Sequence, residues 1–332
     1  MINKKKINVA IIGCGLIGNK RANSINKKFN ILAVSDNNKN KANIILKKNR
    51  KIKFYSNWKE IFNLENLDCA IVCTPHDLLF KIASYGLKKN SINLFVEKPG
   101  VRNLTEIKKL IKIYNAIRGK KVSIRFGFNH RFHKSIIFAN KLIHQNKIGK
   151  LLYLRGVYGH GGKKNYNKEW RGIKRKSGGG QLVDQGIHLI DLSRYFLGNL
   201  KAYNKHLDTI YWNTKVEDNV FLTLKKEKKI AFLHASWTEW KNKFHLEIFG
   251  KNGKIEIEGK GGSYGKEKLT VYRMKKNKIK PEINKFQFGN KDNSWQTELN
   301  LFFKEMKKKN NSIFHLNNLY ENFKIINEVY KK

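Results

Sequence analysis

The feature that most constrains this chain is Gly13-Cys14-Gly15-Leu16-Ile17-Gly18, directly behind an apolar run at 7–12 and ahead of a helix-length segment. A second apolar run, 31–35, closes on Asp36, the acidic position about twenty residues further on. Glycines at this spacing are informative only in that strand–turn–helix setting. Gly13 permits a tight turn, Gly15 lets the backbone approach a pyrophosphate, and Gly18 lets helix and strand pack closely. The helix start at Gly15, Leu16 and Ile17 offers unpaired N–H groups and the positive end of a dipole to phosphates. A dinucleotide site is expected here, against the plainer alternative of a glycine turn without a ligand.

At 332 residues the chain is long enough for two domains. No apolar run approaches the roughly 18 residues of a membrane span. The basic start, residues 1–6, precedes an apolar stretch too short for a signal peptide, so the cytoplasm is the expected compartment. Cys69 and Cys73 fall four apart on one expected strand, about 13 Å between Cα atoms and too far for a disulfide. Nothing in the cysteine pattern suggests a metal site.

The net charge of +44 raises the question of nucleic acid. The lysines are spread over the whole chain, and arginine, the better reader of phosphate and base edges, supplies only 11 of 69 basic residues. No specific nucleic-acid partner is expected, although such a charge attracts anionic substrates and cofactors.

Strand-like runs at 6–12, 30–35, 68–73, 92–96 and 121–126 alternate with helical periods at 16–25, 78–87 and 104–117. Repeated βαβ units imply a doubly wound parallel sheet over residues 1–123, with ligands off the carboxyl ends of its strands. There Thr74-Pro75-His76 and Glu97-Lys98-Pro99 mark two strand ends. From 124 to 332 the pattern changes. A helix at 135–145 leads to a strand at 151–158, a loop at 159–180, a helix at 181–197, and alternating segments at 219–224, 230–237, 244–248 and 254–258. Two helices, 294–307 and 316–330, close the chain. This is expected to be an α+β domain with an open, mainly antiparallel sheet.

The helix at 181–197 places Asp184 and His188 at i, i+4 and Asp191 at i+7, all on one face, with Val183, Ile187 and Ile190 turned inward beside them. A carboxylate one turn from an imidazole fixes its tautomer and raises its basicity. The same pattern also occurs as an ordinary surface ion pair.

Taken in order, the glycine fingerprint, Thr74-Pro75-His76, Glu97-Lys98-Pro99 and the Gly178–Asp191 helix resemble the Gfo/Idh/MocA oxidoreductases over nearly the whole chain. The resemblance implies an N-terminal Rossmann domain and three catalytic positions. His188 would be the general acid–base for a substrate hydroxyl, Asp184 would orient it and hold a neighbouring hydroxyl, and Lys98 would donate to the reacting oxygen. Asp36, followed by Asn37, would accept from the adenosine ribose and repel a 2′-phosphate, favouring NAD over NADP. Thr74, Pro75, His76 and Glu97 would complete the cofactor side. Where family members often carry histidine four residues beyond that proline, this chain has Leu79. Asn129 and Arg131, with Tyr158, His160, Trp170 and Arg171, are candidate substrate contacts beside Asp184 and His188.

The expected reaction is hydride transfer between nicotinamide and a secondary hydroxyl of a sugar, sugar nucleotide or cyclitol. The stretch 156–191 is also similar to sugar dehydrogenases of surface-polysaccharide pathways. Two alternatives remain: an NAD-dependent glycosidase with internal redox, and a non-catalytic cofactor-binding protein. The resemblance further implies a homodimer or homotetramer built through the C-terminal sheet. Trp237, Trp240 and several phenylalanines in or beside its strands would supply the apolar surface.

Overall fold

A computed structural model describes residues 6–90, 92–117, 122–162, 164–275, 279–308 and 312–331. The apolar runs of the first third become β1 (Ile7–Ile12), β2 (Phe29–Ser35), β3 (Lys53–Tyr55), β4 (Cys69–Val72), β5 (Asn93–Glu97) and β6 (Ile124–Gly127). They form one parallel sheet in the order β3-β2-β1-β4-β5-β6. Its crossover helices are α1 (Leu16–Ser24), α2 (Lys39–Leu46), α3 (His76–Asn90) and α4 (Leu104–Ala116). Every residue of β4 is buried, as a strand covered on both faces requires. The expected start of the last strand, Lys121, lies outside the described residues.

The middle of the chain forms α5 (Lys134–His144), β7 (Leu151–Gly159), the single turn α6 (Lys174–Ser177) and α7 (Ile187–Leu197). β8 (Lys201–Asp208), β9 (Asn219–Lys226), β10 (Lys229–Ser236), β11 (Lys243–Gly250), β12 (Gly253–Glu258), β13 (Glu267–Arg273) and β14 (Glu282–Gly289) follow. These strands make an eight-stranded sheet ordered β14-β13-β12-β11-β7-β10-β9-β8, in which only β7 and β10 run parallel. Alternation decides the faces. On β7, Leu154, Gly156 and Tyr158 turn inward, and Gly156 meets Leu189 of α7; Arg155 lies on the other, open face, which also exposes Phe221 and Phe232. β3, β8, β13 and β14 were not anticipated. β3 has three residues, and β8 and β14 are mostly exposed, so they show little apolar alternation.

Two more helices, α8 (Ser294–Lys308) and α9 (Ser312–Tyr330), end the chain. The structure divides into one unit reaching Phe128 and including Trp295–Phe323, and a second containing Asn129–Ser294 and the last residues from Lys324. The division expected from sequence, at 123/124 with both final helices in the second domain, differs from this. The reason is packing: α8 buries Leu299, Phe302 and Phe303 in the same core as Val9, Ile11, Val34, Ile71 and Phe95. Trp237 requires a correction as well. It is fully buried, stacked on Tyr166 at 4.6 Å, and is no part of an open sheet surface.

Candidate active site

In the first unit the turn after β1 is shaped by close contacts. Gly13 has φ +93°, and a Cβ there would lie 2.7 Å from the Cys73 carbonyl. A Cβ on Gly18 would fall 1.9 Å from Gly13 O, so α1 rests directly on the turn. Gly15 is different: no atom lies within 4 Å of where its Cβ would stand, leaving room for a ligand against the backbone. Asp36 closes the turn from β2, accepting from Cys14 N at 2.8 Å through Oδ2 and from Asn38 N at 2.9 Å through Oδ1. Each carboxylate oxygen keeps further lone-pair capacity. Burial, then the Asp36 charge, pushes the Cys14 thiol up to about 12, so it stays protonated.

Leu16 and Asn37 are exposed, and Ile17 is half-buried. On the next strand ends, Thr74 Oγ1 is buried without a hydrogen-bond partner among the described residues. His76, buried, opens α3 directly after Pro75. These observations fit a dinucleotide: an open backbone at a helix start, an acid with capacity to spare, and a hydroxyl awaiting a partner. Leu79 is fully buried in α3.

Glu97 is tied into its own unit. Arg21, with no exposed surface, donates through Nε to Glu97 Oε1 at 2.5 Å and through Nη2 to Glu298 Oε2 at 2.8 Å. Its guanidinium also lies over Phe95 and Trp295. A buried cation held by two carboxylates and two rings fixes the end of β5, where half-buried Lys98 follows. Glu97 therefore serves as an anchor for the segment that carries Lys98.

The second unit gathers the remaining candidates. The helix at 181–197 is not continuous: Leu182–Gly186 forms a π turn, and regular α-helix begins at Ile187. Asp184 sits in that turn, so ideal α-helical offsets do not carry from Asp184 to His188. Val183, Ile187 and Ile190 are fully buried, as the pattern predicts. Glu217 fastens the start of the turn, accepting from Gly180 N and Leu182 N and from the Tyr330 hydroxyl at 2.6 Å.

Buried His188 stacks on His130, with ring centroids 3.9 Å apart. Tyr158 stands edge-on to both rings, and Phe244 meets His130 edge-on with centroids 5.5 Å apart. Burial, then Tyr264, holds the Tyr158 hydroxyl well above its usual range, so it remains a neutral phenol. Lys260 lies over the rings of Tyr158 and Tyr264. Arg171 stacks on Trp170 and reaches Asp184 at 3.5 Å. Arg131 spends two donors on Asp191, both at 2.6 Å, and Asn129 donates to Ser294 Oγ at 2.9 Å. His160 Nδ1 accepts from Gly162 N.

Asp184, His188, Tyr158, Trp170 and Arg171 thus share one neighbourhood, whereas Arg131 is held by Asp191 and Asn129 by Ser294. Sequence reasoning missed Lys260 and Tyr264, whose hydroxyl accepts from Gln185 Nε2, and passed over His130. The last was legible, since it stands between two residues already singled out.

Fold and sites define a parallel, glycine-fingerprinted nucleotide-binding unit joined to a sheet unit with a polar, aromatic-lined centre. Two family models cover most of the chain: "Oxidoreductase family, NAD-binding Rossmann fold" at residues 7–126, and "GFO/IDH/MocA C-terminal domain" at residues 136–256. The chain belongs to the Gfo/Idh/MocA family.

Levoglucosan dehydrogenase of Pseudarthrobacter phenanthrenivorans is 30% identical over 156 residues, 46% of this chain and 39% of that one. The 2,7-anhydro-N-acetylneuraminate hydratase of Escherichia coli is 24% identical over 265 residues, 76% of this chain and 68% of that one. The foremost curated relatives are matched over about half of their length. A solved levoglucosan dehydrogenase in complex with NADH and levoglucosan shares the fold, with a TM-score of 0.83, 20% identity, and coverage of 98% of this chain and 97% of that one.

Proposed function

We propose that the protein is an NAD-dependent oxidoreductase that moves a hydride between nicotinamide and a secondary hydroxyl of a sugar, sugar nucleotide or cyclitol. The observation that carries this reading is His188, buried and stacked on His130 in the unit that also pairs Asp184 with Arg171, in a chain whose other unit bears the open Gly15 turn closed by Asp36. Gly15, Leu16, Ile17, Asp36 and Thr74 would hold the cofactor, and His76 and Glu97 shape its surroundings. Bound NAD supplies the hydride acceptor.

His188 takes the proton from the substrate hydroxyl as the carbon is oxidised. Asp184 orients His188 and binds a neighbouring hydroxyl. Lys98 donates to the oxygen on which alkoxide charge develops. Tyr158, a neutral phenol, offers a further hydrogen bond, and Trp170 with Arg171 presents a stacked face and a cation to the substrate. The Asp36 carboxylate, with Asn37 and not arginine behind it, favours NAD over NADP.

The test is absorbance in the reduced-nicotinamide band, with NAD and a panel of sugars, inositols and sugar nucleotides, wild type beside Lys98→Met. NADH should accumulate with wild type alone, while both bind NADH by fluorescence. Failure to bind any nicotinamide cofactor would remove the reading.

A second reading is an NAD-dependent glycosidase that removes and returns a hydride within one turnover; a relative whose name denotes a reaction without net redox keeps it in view. It predicts tight NAD, product formation and no free NADH. The open sheet face, with exposed Phe221, Phe232 and Ile283, is the proposed contact of a dimer or tetramer. Light scattering checks this, a monomer at micromolar concentration being the adverse result. Among the described residues no helix is long and apolar enough to cross a membrane, and a cytoplasmic location is part of the same proposal.

A further inference from the structure

Three loops leave the sheet where β7 and β10 end side by side, one residue beyond Tyr158. They are held together by backbone bonds: His160 N donates to Ser236 O, and Glu239 N to His160 O. At their tips stand Tyr211 and Trp240, with rings 4.8 Å apart and planes at 83°. Both are open to solvent, at 60% and 65% exposure.

Two exposed rings in contact make a contiguous apolar surface, and such a surface marks an interaction site when the loop that carries it is held in place. This loop is fixed. Buried Asp218 accepts the backbone N–H groups of Ile210, Tyr211 and Trp212, at 2.7–2.9 Å. Trp212 Nε1 donates to Trp237 O, pinning the segment from beneath. Trp240 itself is held at φ +46°, a left-handed conformation that a bulky residue adopts only when its surroundings impose it. Gly161, two residues past the end of β7, backs onto the Trp240 backbone. The two rings form a rigid corner beside the strand end that carries Tyr158.

Charge narrows what the corner takes. Lys164, Lys168, Lys215, Lys241 and Lys243 on these loops are exposed, whereas the acids of the same loops are half-buried (Glu169, Glu217, Glu239) or buried (Asp218), and Glu217 and Asp218 are spent on backbone N–H groups. A neutral sugar would stack on the rings and leave that charge unused. A flat aromatic group bearing phosphates uses both, since rings stack on a base and lysines meet phosphate oxygens as point charges.

We propose that the Tyr211–Trp240 corner is a subsite for the nucleoside diphosphate of a sugar nucleotide, the base against the two rings and the diphosphate among the lysines. The sugar then points along β7 towards Tyr158 and His188. This narrows the substrate class and rests on the second unit being the substrate domain of the proposed oxidoreductase.

The experiment is calorimetric titration of the full chain, saturated with NADH so that the glycine turn is filled, with UDP, GDP and dTDP. At least one should bind, more weakly as salt rises, and about tenfold more weakly in Trp240→Ala and in Lys241→Ala/Lys243→Ala. Both variants alter exposed side chains and should keep the wild-type melting temperature. Absence of binding by all three, or binding indifferent to both variants, overturns the subsite. So does light scattering in which Trp240→Ala falls apart into smaller species while nucleotide affinity is unchanged, because the corner is then a contact between copies of the chain. NADH affinity is recorded separately: its absence removes the oxidoreductase reading, while nucleotide titration of the NADH-free protein still decides the corner.

Discussion

The imidazole of His130 lies flat against that of His188, centroids 3.9 Å apart and planes 17° from parallel. His130 is itself boxed by His133, Tyr158 and Phe244. A catalytic base works only when its ring is aimed, and a packed aromatic neighbour restricts that aim at little entropic cost.

His130→Ala should therefore lower kcat by about tenfold or more, as a misaimed base does, with little change in NADH affinity. His130→Phe, which keeps a ring on His188, should recover most of the loss. If alanine and phenylalanine behave alike in steady-state kinetics, the stacking has no positioning role.

The glycine turn separates folding from binding. Gly18→Ala places a methyl 1.9 Å from Gly13 O and should cost stability, on the order of 1–3 kcal/mol. Gly15→Ala meets nothing within 4 Å, so its melting temperature should match wild type while NADH affinity falls. Thermal melts beside a fluorescence titration separate the two; an unchanged NADH affinity in Gly15→Ala would place the cofactor elsewhere.

Tyr330 reaches across to Glu217, and Glu217 holds the N–H groups that begin the Asp184 turn. Burial raises the Glu217 carboxyl above its ordinary range despite these donors. Removing the hydroxyl with Tyr330→Phe should destabilise by about 1–3 kcal/mol in urea unfolding and lower kcat as well. An effect on stability without one on kcat would confine Tyr330 to folding.

Glu305 gives a pH dependence whose sign is fixed. Burial opposes its charge, but the hydrogen bond with His315 and the Arg125 cation outweigh it, taking the carboxyl from 4.5 to about 2. Stability from a carboxyl depressed on folding is fully present above about pH 4.5 and is lost as pH falls towards 2. At about 1.4 kcal/mol per unit this is on the order of 3 kcal/mol. The gap in unfolding free energy between wild type and Glu305→Gln should be widest near neutral pH and shrink below about pH 4. A gap independent of pH would count against the pairing.

The doubly wound sheet was readable because its strands are short apolar runs punctuated by Gly13, Pro75 and Pro99, and periodicity reports such runs directly. Asp184 and His188 were readable as two polar residues four apart on one helix, but the π turn removes the ideal α-helical offset on which their pairing was expected. The π turn was not: nothing in Leu182–Gly186 distinguishes a five-residue repeat from a four-residue one, and Glu217, which accepts the first N–H groups, lies 37 residues from Gly180. Trp237 was placed wrongly because alternation tells the two faces of a strand apart but not which loop will cover its end. Arg21 shows the same limit. Its partners Glu97 and Glu298 are 76 and 277 residues away, and no local pattern announces a bond of that reach.

Leu299, Phe302 and Phe303, which complete the core of the first unit, follow the whole 129–294 segment in the chain. On the ribosome the strands β1 to β6 emerge early, yet their apolar cover arrives only after the whole 129–294 insert has left the exit tunnel. At roughly 5–20 residues per second, the sheet waits about ten seconds or more with one flank bare. Chaperone demand in the cell should therefore fall on the unit whose strands precede the insert.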